Sequence, residues 1–502
     1  MVLTREYGKR ESPMQLLLVL SFLSFLRITP GAHAAPPSNF PSKIYGVNLG
    51  SWLVLEPWML PNEWVTMGGE QCDDCLTCIS TEFALAATYP DDVDERFAVH
   101  WSTWFTQDDV NNLQDAGINA VRIPLGYWIV EPLVNRVIEH YPRGGIKYLA
   151  NGLDMLREAG IQVILDHHAL PGVQSANQSF AGNCTLTPQF YTDYNYGRTL
   201  VWTAVMTFIS HLHPQFGSVF SIEATNEPTM NATQTPGFGD FQKNFVRTVR
   251  AVEWLIGVDV PGCPALEGTP NAKNLYERLA QACATDTLGL FTPPVTEALN
   301  TSFHTLRYIA RELEWKIDFT ACQERQPITT NFMDILWQDD DPPNPSDAAI
   351  GPQAYDHHLY YSFGGVAAAN PEAYLQNLCN RNDTQQDVVD GNAPVWYGEF
   401  SLATEFNATD EFLCKWADAQ KLIYSQNAGW LFWSFKLEST NPLARQWSYF
   451  EGLERGYLTQ DPSQLHDPDV CVPYKNSTAS KRDSTVRKHP CGAHKHSNRF
   501  AH

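Results

Sequence analysis

Short apolar runs alternate with helix-like stretches along most of this chain, and that alternation limits the fold more than any other feature. Ile44-Tyr45-Gly46-Val47-Asn48 reads as a first strand, followed by a helical stretch from Phe97 to Ala116 that stops at Gly117. Ala120-Val121-Arg122-Ile123-Pro124 is the next strand, then an amphipathic stretch from Leu149 to Ala159 ending at Gly160, then Gln162-Val163-Ile164-Leu165-Asp166. A helix from Tyr196 to His211 leads to Val219-Phe220-Ser221-Ile222. Further strands fall at Ile328 to Phe332, Ala354 to Tyr360, Pro394 to Glu399 and Trp430 to Phe435. Nearly continuous apolar strands separated by helices are the pattern of a parallel sheet covered on both faces. A count near eight favours a closed α/β barrel, the (β/α)8 TIM barrel with loop insertions, over a doubly wound sheet. With 502 residues there is room for one large barrel or for two domains.

Two of these strands lead into Thr225-Asn226-Glu227-Pro228 and Trp396-Tyr397-Gly398-Glu399-Phe400. Each reads as a glutamate at the C-terminal end of a buried strand. In a (β/α)8 barrel all such ends open onto one face, where the chemistry sits. Two glutamates far apart in sequence can then meet across one pocket. Facing carboxyl groups are the equipment of a glycosidase: one protonates the leaving oxygen, the other attacks or activates water. A lone strand-end Glu is more often a satisfied structural residue, so the neighbouring residues decide.

Aromatic residues make up 12% of the chain, with 15 Trp and 20 Tyr, which suits sugar binding by ring stacking although most must serve packing. The formal net charge of -22 argues against nucleic acid or an anionic membrane surface as partner. Lys9 and Arg10, the apolar run from Leu16 to Leu26 and the small-x-small Ala32-His33-Ala34 read as a signal peptide over residues 1–34, with Met14 an alternative start. No later segment is long and apolar enough for a transmembrane helix. Eleven Cys and sequons at Asn177, Asn183, Asn231, Asn300, Asn382, Asn407 and Asn476 agree with a secreted, extracellular or cell-wall protein. The Cys72-x-x-Cys75-x-x-Cys78 series reads as disulfide-forming rather than metal-binding in that compartment. The odd count leaves one thiol over, assigned here to Cys491 in the polar tail.

Residues 35–474 read as one catalytic domain. The interval from Glu227 to His358 is long and holds helix-like runs at Phe241 to Ile256, Asn274 to Ala284 and Phe303 to Trp315, so an insertion near 257–350, of the kind that forms a lid, is expected. Asp339-Asp340-Asp341 reads as a solvated turn, with a metal role as the alternative. Residues 475–502 are rich in Ser, Lys, Arg and His and read as a disordered basic tail.

From about Tyr45 to Phe450 the chain resembles glycoside hydrolase family 5, in its fungal exo-β-1,3-glucanase branch. The residues that carry the resemblance begin with the run from Gly46-Val47-Asn48-Leu49-Gly50 to Glu56-Pro57-Trp58, His100-Trp101-Ser102-Thr103-Trp104, and Val121-Arg122-Ile123-Pro124-Leu125-Gly126-Tyr127-Trp128. They continue with His168 and Pro171-Gly172-Val173-Gln174, Asn226-Glu227-Pro228, His358-Leu359-Tyr360, Gly398-Glu399, and Gly429-Trp430-Leu431-Phe432-Trp433. The resemblance implies a (β/α)8 fold and hydrolysis with retention, without metal or organic cofactor.

By that resemblance Glu227 is the general acid/base and Glu399 the nucleophile. Physical sense requires Glu227 to hold a proton at working pH, through partial burial and the nearby Glu399. Arg122 would keep Glu399 ionised, and would equally make a core ion pair. Asn226 would bond the sugar 2-hydroxyl, Tyr360 would donate to Glu399, and His358 would sit beside Glu227. His168 would orient this network or bind the sugar at the −1 position, while the adjacent His167 is structural. Asp166-His167-His168 could alternatively be read as metal ligands. Trp433 would form the platform beneath the −1 sugar, Glu56 would contact terminal glucose hydroxyls, and Phe180 and Phe363 match an aromatic pair at the entrance.

The chain departs from that branch in having Ala181 where an Asp follows the first entrance aromatic, in Cys184 on the same loop, and in the long interval before His358. The expectation is a secreted, monomeric β-glucan hydrolase cleaving β-1,3 bonds from the non-reducing end. The alternatives are an endo-β-glucanase on β-1,4 or β-1,6 bonds, a transglycosidase, or an inactive sugar-binding wall protein.

Overall fold

The computed structural model describes residues 41–475, apart from 73, 272, 320–324 and 335–344. The signal peptide, the Asp339 to Asp341 turn, Cys491 and the tail beyond 475 lie outside the described residues. Eight strands close into a barrel in strict chain order: β1 (Ile44–Asn48), β2 (Ala120–Gly126), β3 (Gln162–Ala169), β4 (Val219–Glu223), β5 (Thr329–Met333), β6 (Gln353–His358), β7 (Val395–Glu399) and β8 (Gly429–Phe432). Every pair is parallel, and β1 closes on β8 with Tyr45 opposite Trp430.

The expected strands recur with ends moved by a few residues. β8 stops at Phe432 because Trp433 and Ser434 turn away, bonding the carbonyls of Phe400 and Trp447. The stretch from Phe97 to Ala116 is two helices, Val93–Trp104 and Gln107–Asp115. Thr106 between them caps the second helix: its hydroxyl accepts from Asp109 N while the Asp109 carboxylate accepts from Thr106 N at 2.9 Å. That reciprocal cap satisfies two amides that a continuous helix would have used otherwise.

Side chains inside the barrel change character along its axis. At the N-terminal end Ile44, Ala120, Ile164, Phe220, Ala354, Trp396 and Leu431 form an apolar plug. Two residues further along β2, β3 and β6 come Arg122, Asp166 and Asp356, all fully buried. The period-two alternation of a strand carries the change from plug to charge. Gly398 on β7 marks how tight this layer is. A Cβ there would stand 1.7 Å from Asp356 Oδ1, so only a glycine backbone fits beside that carboxylate.

Within the long interval, helices Leu275–Thr285 and Pro293–Glu312 are described. The second packs on helices Asp193–Leu212 and Phe238–Ile256, with Phe303 edge-on to Phe208 at 5.9 Å. This described part thickens the helical wall instead of lying across the strand ends as a lid would. Disulfides Cys72–Cys78, Cys75–Cys184 and Cys379–Cys471 are formed, and Cys263 and Cys283 are free thiols among the described residues. Cys75–Cys184 ties the loop after β3, which carries Phe180, to the segment after β1.

Candidate active site

The barrel's C-terminal face gathers the expected residues around Arg122. Its guanidinium donates to Glu399 Oε1 at 2.8 Å, Glu223 Oε2 at 2.8 Å and Asn226 Oδ1 at 2.7 Å, and lies 3.0 Å from Asp166 Oδ2 and 3.4 Å from Asp356 Oδ2. Burial alone disfavours its charge, but Asp166, Glu223, Glu399 and Asp356 outweigh burial and hold it well above its ordinary value. One cation therefore anchors carboxylates from β3, β4, β6 and β7.

Glu399 is the last residue of β7 and is buried. Its Oε2 accepts from the Tyr360 hydroxyl at 2.8 Å, and His358 Nδ1 lies 3.5 Å away. Burial raises its pKa, with His358 and Arg122 pulling it back, and the donors from Arg122 and Tyr360 serve its ionised form. Glu227 stands four residues beyond the end of β4, in the left-handed region at φ 38°. A non-glycine residue there costs on the order of 1 kcal/mol, held by surrounding bonds. Gln174 Nε2 donates to the carbonyls of His168 at 2.7 Å and Asn226 at 3.1 Å, and Ser175 Oγ donates to the Glu227 carbonyl. The Glu227 carboxylate bonds His358 Nδ1 at 2.8 Å, and a carboxylate oxygen of Glu227 lies within 4.8 Å of one of Glu399. The two glutamates thus face one hollow.

Among the buried polar atoms here without a protein hydrogen-bond partner are one on Asn226 and one on His168. Asn226 uses Oδ1 for Arg122, which leaves Nδ2 without an acceptor. His168 holds Asp166 Oδ2 through Nδ1 at 2.6 Å, and Nε2 is unpartnered. Burial and then Arg122 push the His168 pKa down to about 3, so the ring is neutral, donating from Nδ1 and accepting at Nε2. A donor and an acceptor left over beside two carboxyl groups suit a ligand rich in hydroxyls.

The remaining expected residues border the same hollow. Trp433 lies nearly parallel to His168, with centroids 5.6 Å apart, and Phe180 meets His168 edge-on at 5.5 Å. Phe363 is 77% exposed and sits 5.6 Å from the Tyr360 ring, so it stands at the mouth, free to stack. Glu56 is held by Trp58 Nε1 at 2.8 Å. Burial chiefly, then Glu399 and Glu227, push its pKa up to about 8 against the Trp58 bond, so near neutral pH it is largely a neutral donor.

Sequence reasoning missed Glu223 and Asp356, and passed over Trp58 and Trp447. Counting back two from His358 would have put Asp356 on the same inward face. Trp447 packs against Tyr360 at 5.4 Å and Trp58 at 5.2 Å, through a segment beyond β8 that no strand period reaches. His167 stacks on Trp202 at 3.9 Å, on the side of β3 away from Asp166 and His168. The Asp-His-His triplet therefore does not converge on one ion. Glu227, His358 and Glu399 could offer ligand atoms, as could Glu223, Asp356 and His358, and, apart from them, Asp334, His357 and Asp387. In the first two groups Arg122 already supplies positive charge between the carboxylates.

Glu82 supports the segment that carries Glu56 by accepting from Leu55 N at 2.7 Å, and burial raises its pKa to about 8. Between its ordinary value and about 8 the folded protein keeps a proton that the unfolded chain releases, so this group lowers stability as pH rises through that window. Glu82→Gln is expected to unfold at higher denaturant than wild type at pH 8, by a few kcal/mol, with the gap narrowing toward pH 5. An equal gap at both pH values in urea titrations would contradict this.

A family model described as "Cellulase (glycosyl hydrolase family 5)" matches residues 91–439, and the chain belongs to that family. It is therefore an O-glycosyl hydrolase built for β-glucan. It is 29% identical to the glucan endo-1,6-beta-glucosidase B of Emericella nidulans, over 86% of this chain and 88% of that one. A shorter match, 34% over 42% of this chain and 47% of the other, is to the probable glucan 1,3-beta-glucosidase A of Aspergillus fumigatus. The fold is also similar to the rutinosidase from Aspergillus niger, with TM-score 0.53 and 18% identity over 84% of this chain and 99% of that one. Among the described residues no helix is long and apolar enough to cross a membrane.

Proposed function

We propose that this chain cleaves β-glucan by double displacement and that its preferred substrate is β-1,6-linked glucan, cut within the chain. The observation that carries the mechanism is the Glu227–Glu399 pair, with oxygens within 4.8 Å of each other. A short separation leaves no room for an interposed water and suits a covalent intermediate. Glu399, braced by Arg122 and Tyr360, attacks the anomeric carbon while Glu227 gives its proton to the departing glycosidic oxygen. Water then enters, Glu227 takes a proton from it, and the glycosyl–Glu399 ester is cleaved with the configuration retained. Asn226 Nδ2 donates to the 2-hydroxyl, His168 Nε2 accepts from a neighbouring hydroxyl, and Trp433 underlies the ring. Neutral Glu56 donates to a hydroxyl at the far side of that ring.

The preference for internal β-1,6 bonds rests on the nearly full-length similarity to endo-1,6 enzymes, against a half-length similarity to a 1,3-glucosidase. The disulfides among the described residues and the leader-like N-terminus support a secreted protein. Digestion of pustulan is expected to release a ladder of β-1,6 oligosaccharides, with laminarin and carboxymethylcellulose cut slowly or not at all. Glucose alone from laminarin, with pustulan untouched, would instead support the exo-β-1,3 reading that the half-length similarity leaves open.

A further inference from the structure

Asp356 has no role in the double displacement described above, yet the site is built around it. It lies on β6, two residues before His358, fully buried, with Oδ2 3.4 Å from Arg122 Nε and Oδ1 3.5 Å from His358 Nε2. The position next to the nucleophile must be glycine because the Asp356 carboxylate occupies the space a Gly398 side chain would need. His358 in turn bonds Glu227 through Nδ1. Asp356, His358 and Glu227 therefore form a line from the barrel core to the group that handles the proton.

We propose that Asp356 is a positioning residue that acts through His358 to keep one proton on the Glu227–His358 pair, ready for the leaving oxygen. The inference rests on Glu227 being the acid/base. The charges facing His358 are Glu227 from the loop after β4, Glu399 from β7 and Asp356 from its own strand, with Arg122 on β2 and Asp166 and His168 on β3 beyond them. Three carboxylates near one imidazole favour the imidazolium, and although burial opposes it, Glu399 and Asp356 hold His358 well above its ordinary value. The pair then holds a single proton that can sit on either partner. When it moves to Glu227 and on to the glycosidic oxygen, His358 is left neutral between carboxylates, and Asp356 disfavours losing that proton to solvent. Removing the Asp356 charge lets the pair deprotonate at lower pH.

The experiment is the pH profile of kcat/KM for Asp356→Asn on pustulan and on 2,4-dinitrophenyl β-glucoside, whose leaving group departs without a proton. The alkaline limb on pustulan is expected to move down by about one pH unit or more. At pH values above the alkaline limb, the activity on pustulan is expected to fall about tenfold, with the dinitrophenyl substrate changing much less. An unmoved limb, or an equal loss on both substrates, would overturn the inference and leave Asp356 a packing residue. Should Asp356→Asn fail to fold, 15N-histidine spectra of the unsubstituted protein decide. One imidazole is expected to stay protonated beyond the pH at which an ordinary histidine is neutral, and a protein whose histidines all titrate in the ordinary range contradicts the proposal. If Glu227→Ala keeps wild-type turnover, the acid/base reading itself fails; if that variant is inactive and the limb of Asp356→Asn stays put, only this inference does.

Discussion

Glu399→Ala is expected to lose pustulan hydrolysis by at least about 10⁴-fold, with the fold intact, because no other group can make the covalent bond to the anomeric carbon. The side chain sits at the end of β7 and its loss opens a small space without unpairing the sheet. Glu227→Ala is expected to lose roughly 10²–10⁴-fold on glucan, where the leaving oxygen needs a proton. The two variants separate further when azide is added with an activated aryl glucoside. Azide should restore turnover in Glu227→Ala with a β-glucosyl azide product, since Glu399 still forms the intermediate. In Glu399→Ala azide attacks directly and the product is the α-azide. The same anomer from both variants, read by NMR, would refute the division of roles.

Arg122→Met is expected to show the largest stability effect. Four carboxylates, Asp166, Glu223, Asp356 and Glu399, lose their common cation in a fully buried layer. Breaking such a network by removing one partner costs about 3–5 kcal/mol, since the remaining charges stay buried and unpaired. The sign of its pH dependence follows from that. Without the guanidinium these acids hold protons more tightly in the folded protein than in the unfolded chain, so the variant should regain stability as pH falls from 8 toward 5. Urea titrations at both ends test it, and a deficit that does not shrink at low pH would mean packing, not charge, dominates at this position.

The barrel was legible because most of its strands carry apolar runs separated by helical stretches, the pattern of buried parallel strands. The boundaries were not. Thr106 and Asp109 end one helix and start another through a side-chain cap inside what periodicity alone reads as one segment. The two glutamates that come together at the C-terminal face were legible from their place after two of these runs. Asp356 and Glu223 were not noticed, since a carboxylate inside an apolar strand looks like an exception until a cation on a distant strand is seen to meet it. The places of Trp58 and Trp447 escaped because they reach the site from short helices outside the strands, whose course depends on the whole fold.

The amino-acid order by itself determined the strand–helix rhythm, the barrel class and which glutamates could meet, because these follow from local burial patterns repeated eight times. Only the tertiary structure decided that Arg122 serves four strands at once, that Gly398 is required by the Asp356 carboxylate beside it, and that the described insertion thickens the wall. Those facts depend on distances between residues hundreds of positions apart, which are set when the sheet closes and the inward side chains must share one small volume.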